Sequence, residues 1–305
     1  HPLIFSGIKK VTDQHPAGRI LVKAIKNDIA VYSSHTNLDM MNDGVSRKMA
    51  LKLGLRNVKV LQPLNNRLSK LVTFVPEDHL DEVREAVFNA GAGFIGNYDR
   101  CGFTVSGTGS FRAGEGTNPF AGEKGKMHLE KEARFETVFF SHLKEKIIDA
   151  LLGSHPYEEV AYDLYPLQND NIDFGLGCTG ELEEPLSEKG FLELVSSVFN
   201  AHGTRYSELT GRMIRKVAIC GGAGASLLNA ALSVKADAFV TGDIKYHTWF
   251  EADKRILLTD CGHFETEKFS TEKFSTEILY DLIIKKFPKF ALRFSETNTN
   301  PINYL

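Results

Sequence analysis

Between residues 69 and 166 one pattern of elements occurs twice. A strand-like run over 70–76 leads into an amphipathic helix over 77–90 closed by Gly91, and then into an extended stretch over 98–108. A second strand-like run over 134–140 leads into a helix over 142–152 closed by Gly153, and then into an extended stretch over 158–165. A doubled βαβ unit constrains the chain strongly, because neither copy can bury its apolar face alone and the two must share one sheet. The pattern predicts a ferredoxin-like α+β domain. Residues 107–125, between the copies, are rich in Gly, Ser, Thr, Asn and Pro and read as a mobile loop.

The flanks alternate differently. Residues 1–68 read as α/β: a helix over 19–26, a short buried strand over 29–33, and a helix over 45–53 with Asp43-Gly44 as its entry and Gly54 as its C-cap. Residues 167–305 return to α/β. A helix is expected over 186–201 with Ser187 as N-cap, and strands over 215–220, 238–241 and 256–259. Gly221-Gly-Ala-Gly-Ala225 joins the first of these strands to a helix over 226–234. Strand, glycine turn and helix in succession predict a mixed or parallel sheet with sites at strand ends. The expected organisation is a first α/β lobe over 1–68, an inserted domain over 69–166, and a second α/β lobe over 167–305.

Length and charge narrow the function classes. A chain of 305 residues is long for one domain. A net charge of −3 and a pI near 6.4 point to neither nucleic acid nor an anionic membrane as partner. No apolar run reaches membrane-spanning length. The cysteines, Cys101, Cys178, Cys220 and Cys261, form no CxxC pair and read as reduced packing residues of a cytoplasmic protein.

Chemistry-bearing residues gather after the apolar runs. Asp260-Cys-Gly-His-Phe-Glu-Thr-Glu267 follows a strand, and His263 and Glu267 share one face if the segment is helical. Imidazole and carboxylate together suit a divalent metal, although for this pair alone an exposed helix start with acidic first-turn residues is the commoner arrangement. His35-Thr-Asn-Leu-Asp39 repeats the pairing, with a turn cap as the plain reading of Asp39. His1 begins the chain in His1-Pro-Leu-Ile-Phe5. The glycine turn at 221–225 either cradles a phosphate or makes a tight strand-to-helix bend. In Gly242-Asp-Ile-Lys-Tyr-His247, His247 is either a proton carrier or a packed loop residue. His155-Pro-Tyr-Glu-Glu159 reads as a structural turn. Residues 266–270 are repeated at 271–275, so Glu272 has the same neighbours as Glu267.

Together these pieces, with Asn298-Thr-Asn-Pro-Ile302, resemble the Nif-three-like family, whose bacterial members are often named GTP cyclohydrolase 1 type 2 homologues. The resemblance spans nearly the whole chain. Residues 69–166 resemble the inserted domain of the longer bacterial members, which is similar to PII and CutA proteins. The resemblance implies a two-lobed α/β fold interrupted by that insert, a toroidal homohexamer, and a dinuclear metal centre between the lobes. It implies His1, Asp39 (as the bridging carboxylate), His263 and Glu267 as metal ligands. It also implies a further His before His1 and a longer N-terminal part of the first lobe. The expected activity is hydrolytic. Two divalent ions, zinc, iron or manganese, would polarise the substrate and acidify a bridging water, with His247 moving a proton. A purine nucleotide such as GTP is the implied substrate, and a phosphoester suits the ligand set equally. The alternative is a regulatory protein that binds metal or nucleotide without turnover.

Overall fold

The computed structural model describes residues 2–65, 67–169, 171–267, 274–295 and 297–304. In chain order the elements are α1 (Pro16–Lys26), α2 (Thr36–Asp39), α3 (Val45–Lys52), β1 (Arg56–Leu64), β2 (Leu68–Pro76), α4 (Leu80–Asn89), β3 (Gly102–Arg112), β4 (Met127–Phe140), α5 (Lys144–Ser154) and β5 (Tyr162–Leu167). They continue with β6 (Asn171–Leu186), α6 (Glu188–Phe199), β7 (Arg205–Tyr206), β8 (Ile214–Ile219), α7 (Leu228–Ser233), β9 (Ala238–Thr241), α8 (Thr248–Glu251), β10 (Leu257–Asp260), α9 (His263–Glu267) and α10 (Phe274–Lys286). The fold is mixed α/β with two sheets, and the chain divides into two compact units. One comprises His1–Pro63 with Ile172–Leu305, and the other Leu64–Asn171.

The first unit is built on a six-stranded sheet in the order β1-β6-β8-β9-β10-β7. Strands β8, β9 and β10 run parallel, with Val217 opposite Ala238 and Leu257 on its other side. β6 and β7 join this core antiparallel. Every residue of β9 and β10 is buried, because helices cover both faces of the sheet. Val217, Val240 and Leu257 meet Phe191, Val195 and Phe199 of α6 in one apolar cluster. Ala218, Phe239 and Leu258 meet Leu227, Leu228 and Ala231 in another. Phe191, Phe199 and Phe239 are fully buried, each contributing about 2–3 kcal/mol by leaving water. At the start of α6 the Ser187 hydroxyl accepts from the Gly190 N–H at 3.2 Å, as its expected N-cap role requires.

The second unit has the element order β2-α4-β3-β4-α5-β5 and an antiparallel sheet in the order β3-β4-β2-β5. Leu71, Val75, Phe135 and Phe139 face the helices and pack against Val83, Val87, Ile147 and Leu151. The alternate residues, among them Phe74 and Arg134, lie directly opposite one another on the other face.

Three local readings of the sequence change. Residues 107–112 are not loop: they complete β3, paired with β4 from Gly102 opposite Thr137 to Arg112 opposite Met127. Glycine suits this strand because the Glu132 carboxylate lies over Gly109, where a Cβ would come within 2.0 Å of Oε2. Residues 29–33 do not form a buried strand, and Ile29, Val31 and Tyr32 are exposed. An apolar run becomes a strand only where a sheet offers it an edge. β1 and β6, in turn, were not foreseen. Their polar residues interrupt the apolar pattern, and the partner strand supplies what the local sequence lacks.

Candidate functional site

β10 ends in a carboxylate that organises the turns around it. Asp260 is buried and accepts from the backbone N–H groups of Ile244 and Gly262, each at 3.0 Å, and from the Arg205 guanidinium. It thus ties the turn after β9 to the turn after β10. Gly262 takes φ +96°, and a Cβ there would fall 2.1 Å from Glu265 Oε2, so only glycine fits this entry into α9.

α9 then places His263 and Glu267 one turn apart, as their spacing predicts. His263 Nε2 lies 3.3 Å from Glu267 Oε1, and Nδ1 lies 2.6 Å from Asp243 Oδ2. Asp243 reaches the ring from a left-handed backbone conformation, φ +55°, which aspartate tolerates better than most residues. The bond to Glu267 is the main influence raising the imidazole pKa to about 9; burial opposes it and Asp243 adds to it. The ring thus lies between two carboxylates that both favour its protonated form.

Asp39 closes α2 from the other side. The preceding His35 sits at φ +42°, a region that L-residues rarely adopt, and such strain is often found at functional sites. Burial first, and then the Glu267 carboxylate, push the Asp39 carboxyl up to about 6, against the favourable pull of His263. Asp39, Glu267 and His35 line a common cleft of about 210 Å³ together with Ser33, Ser34 and Ser275.

The glycine turn at 221–225 forms a close wall behind α9. Gly222 takes φ +63°, and its absent Cβ would meet Glu267 Oε1 at 2.6 Å. Its N–H donates to Thr266 Oγ1 at 2.8 Å, while the Gly221 and Gly224 N–H groups donate to Ser46 and Thr241. Three N–H groups of the turn are thus used inside the protein, which favours the tight bend over the phosphate cradle.

Of the residues singled out by sequence, the structure brings Asp39, His263, Glu267 and His35 together. His1 and Glu272 lie outside the described residues. His247 stands exposed at the start of α8, edge-on to Tyr246 at 5.5 Å, and does not line the cleft. His155 belongs to the second unit. Asp243 and Asp260 were not assigned a role beforehand. Their shared signal is a carboxylate at the end of an apolar run.

The donor types at the cleft, imidazole nitrogen and carboxylate oxygen, suit a divalent first-row metal. Among the described residues no three His, Cys, Asp or Glu side chains stand in coordinating geometry. His263 Nε2 instead approaches Glu267 Oε1 directly, at 3.3 Å. The like-charge pressure between Asp39 and Glu267 is what such a cation would relieve.

A family model described as Duf34/NIF3 (NGG1p interacting factor 3) matches residues 1–301. The chain belongs to the Duf34/NIF3 family. Among relatives, a GTP cyclohydrolase 1 type 2 homolog of Halalkalibacterium halodurans is 44% identical over 253 residues, covering 83% of this chain and 68% of that one. A Bacillus subtilis protein of the same name is 39% identical over 307 residues, covering 100% of this chain and 82% of that one. A solved Bacillus cereus protein described as related to NIF3 superposes with a TM-score of 0.82 at 37% identity, covering 100% of this chain and 82% of that one. The Duf34/NIF3 chain described here has no helix, among its described residues, long and apolar enough to cross a membrane.

Proposed function

We propose that the cleft between α2 and α9 is a dinuclear metal site and that the protein is a cytoplasmic metal-dependent hydrolase. One observation carries the reading: the Asp39 and Glu267 carboxyls share a small cleft in which the first is destabilised as an anion by burial and by the second. Asp39, His263 and Glu267 would hold the ions, with His1 as a further ligand. Asp243 fixes the His263 ring through Nδ1, which leaves Nε2 as its ligating atom. When bound, two divalent ions of zinc, iron or manganese supply Lewis acidity and make a water acidic enough to attack near neutral pH. Gly222 leaves Glu267 the room it occupies.

The name borne by the Halalkalibacterium halodurans and Bacillus subtilis relatives supports a purine nucleotide such as GTP as substrate, with a phosphoester as the other hydrolysable class. The family resemblance supports a homohexamer and a PII- or CutA-like character for the second unit. Elemental analysis of the purified chain and of Asp39→Ala tests the metal site. About two ions per chain, lost in the variant, would support it. Folded wild-type protein without stoichiometric metal after loading would remove it. Hydrolysis of GTP by the metal-loaded protein, abolished in Asp39→Ala, separates the enzyme from a regulatory protein that binds without turnover.

A further inference from the structure

The face of the second unit's sheet turned away from its helices carries a cavity of about 640 Å³, the size of a small-molecule site. Its walls are largely aromatic. Phe74 comes from β2, Phe111 from β3, Phe120 from the connection between β3 and β4, and Tyr157 from the segment before β5. Phe111 and Phe120 both meet the Tyr157 ring, with centroids 6.0 and 5.9 Å away.

Glu132 of β4 lines this cavity although it is only 8% exposed. Its Oε1 accepts from the Tyr157 hydroxyl at 2.8 Å. Burial and then Glu132 itself raise the Tyr157 pKa, so the hydroxyl keeps its proton for that bond. Among the described residues no side chain or backbone group donates to Oε2, which lies over the bare Cα of Gly109. A buried carboxylate that serves packing alone normally gathers several donors. Oε2 still reaches solvent at the cavity, so a donor from a bound molecule can take the place of water on it.

The charge around the cavity points the same way. Glu158 and Glu159 also line it, and Glu158 Oε1 accepts from the Asn118 N–H at 2.8 Å, fastening the β3–β4 connection beside the opening. Of the two guanidiniums in the lining, that of Arg134 is engaged by Glu136 at 2.7 Å and lies 5.6 Å from the Phe74 ring centroid, while Arg112 stands exposed at the end of β3, so three carboxylates face two guanidiniums. The lining thus offers aromatic faces and an available acceptor, the environment of a ring-sized body that carries nitrogen.

We propose that this cavity binds a small organic molecule with a flat apolar body and an N–H-bearing or cationic nitrogen, which donates to Glu132 Oε2 between the rings of Phe111, Phe120 and Tyr157. A nucleobase and an aromatic amine share that chemistry. Titration calorimetry on the full chain with guanosine, adenosine and tyramine distinguishes them, with phenylacetate as an anion of similar size. At least one nitrogen probe is expected to bind with a Kd below about 1 mM, and phenylacetate to bind at least tenfold more weakly, roughly what a charged hydrogen bond decides. Glu132→Gln, checked for folding by circular dichroism, should weaken the bound probe about tenfold or more. Phe120 is 55% exposed, so Phe120→Ala leaves the core intact and should also weaken binding. No binding by any nitrogen probe at 5 mM (roughly the weakest affinity a ring-sized ligand should show), phenylacetate binding as tightly as tyramine, or unchanged affinity in both variants would each overturn the proposal.

Discussion

Gly222→Ala separates the cost of a backbone conformation from the displacement of a ligand. The residue sits at φ +63°, where an added Cβ destabilises by about 1–2 kcal/mol. The same Cβ would stand 2.6 Å from Glu267 Oε1, well inside contact distance. That oxygen is the end of a flexible side chain, so it swings away at small further cost to stability. It cannot then keep its 3.3 Å approach to His263 Nε2. Gly54→Ala is the control: Gly54 takes φ +77° with nothing within 4 Å of its absent Cβ. Urea denaturation should therefore show similar losses of about 1–2 kcal/mol in both variants. Zinc affinity, measured by competition with a chromogenic chelator, should fall about 10- to 100-fold in Gly222→Ala and stay unchanged in Gly54→Ala. A folded Gly222→Ala protein with wild-type zinc affinity would refute the assignment of Glu267 as a ligand in the position described.

Asp260→Ala removes the acceptor of two backbone N–H groups and the partner of Arg205, and should destabilise the chain by about 3 kcal/mol in the same denaturation assay. Ser187→Ala deletes the N-cap of α6 and should cost about 1 kcal/mol. His155 supplies a pH dependence. Its Nε2 donates to the Phe74 carbonyl at 2.9 Å and its Nδ1 accepts from the Tyr157 N–H at 3.1 Å, so both nitrogens are satisfied in the neutral ring. Burial lowers its pKa below the ordinary value near 6.5. The unfolded chain therefore takes up the proton first. Stability from this group is complete above about pH 6.5 and declines as pH falls below it. Denaturation midpoints compared at pH 5.5 and 7.5 should show a drop in the wild type that is smaller in His155→Gln. Equal drops in the two proteins would contradict the role given to His155.

Period and punctuation carried most of what could be read from the sequence. The helices over 80–89 and 144–154 and the strands opening the two βαβ copies follow from apolar spacing; Gly91 closes the first helix as expected, whereas the second runs through Gly153 to Ser154. The i,i+4 spacing of His263 and Glu267 likewise foretold their shared face, and the family resemblance tied them to Asp39. What failed depended on partners distant in sequence. β1 and β6 exist because each borders another strand, and residues 29–33 remain outside the sheet despite their apolar run. Asp243 was legible as an acid after a strand, but its bond to His263 Nδ1 required two strand ends to be neighbours. Glu132 gave no local signal at all: its burial against Tyr157 arises only when the bend before β5 is brought against β4.

The six-stranded sheet places β1 directly beside β6, although the whole second unit lies between them in the chain. Two such neighbours are what a short turn ordinarily joins. The second unit occupies the place of that turn and brings a core of its own, so the strand order of the host sheet asks nothing of it. The aromatic cavity is therefore encoded by one continuous stretch, residues 64–171, while Asp39, His263 and Glu267 are all encoded outside it.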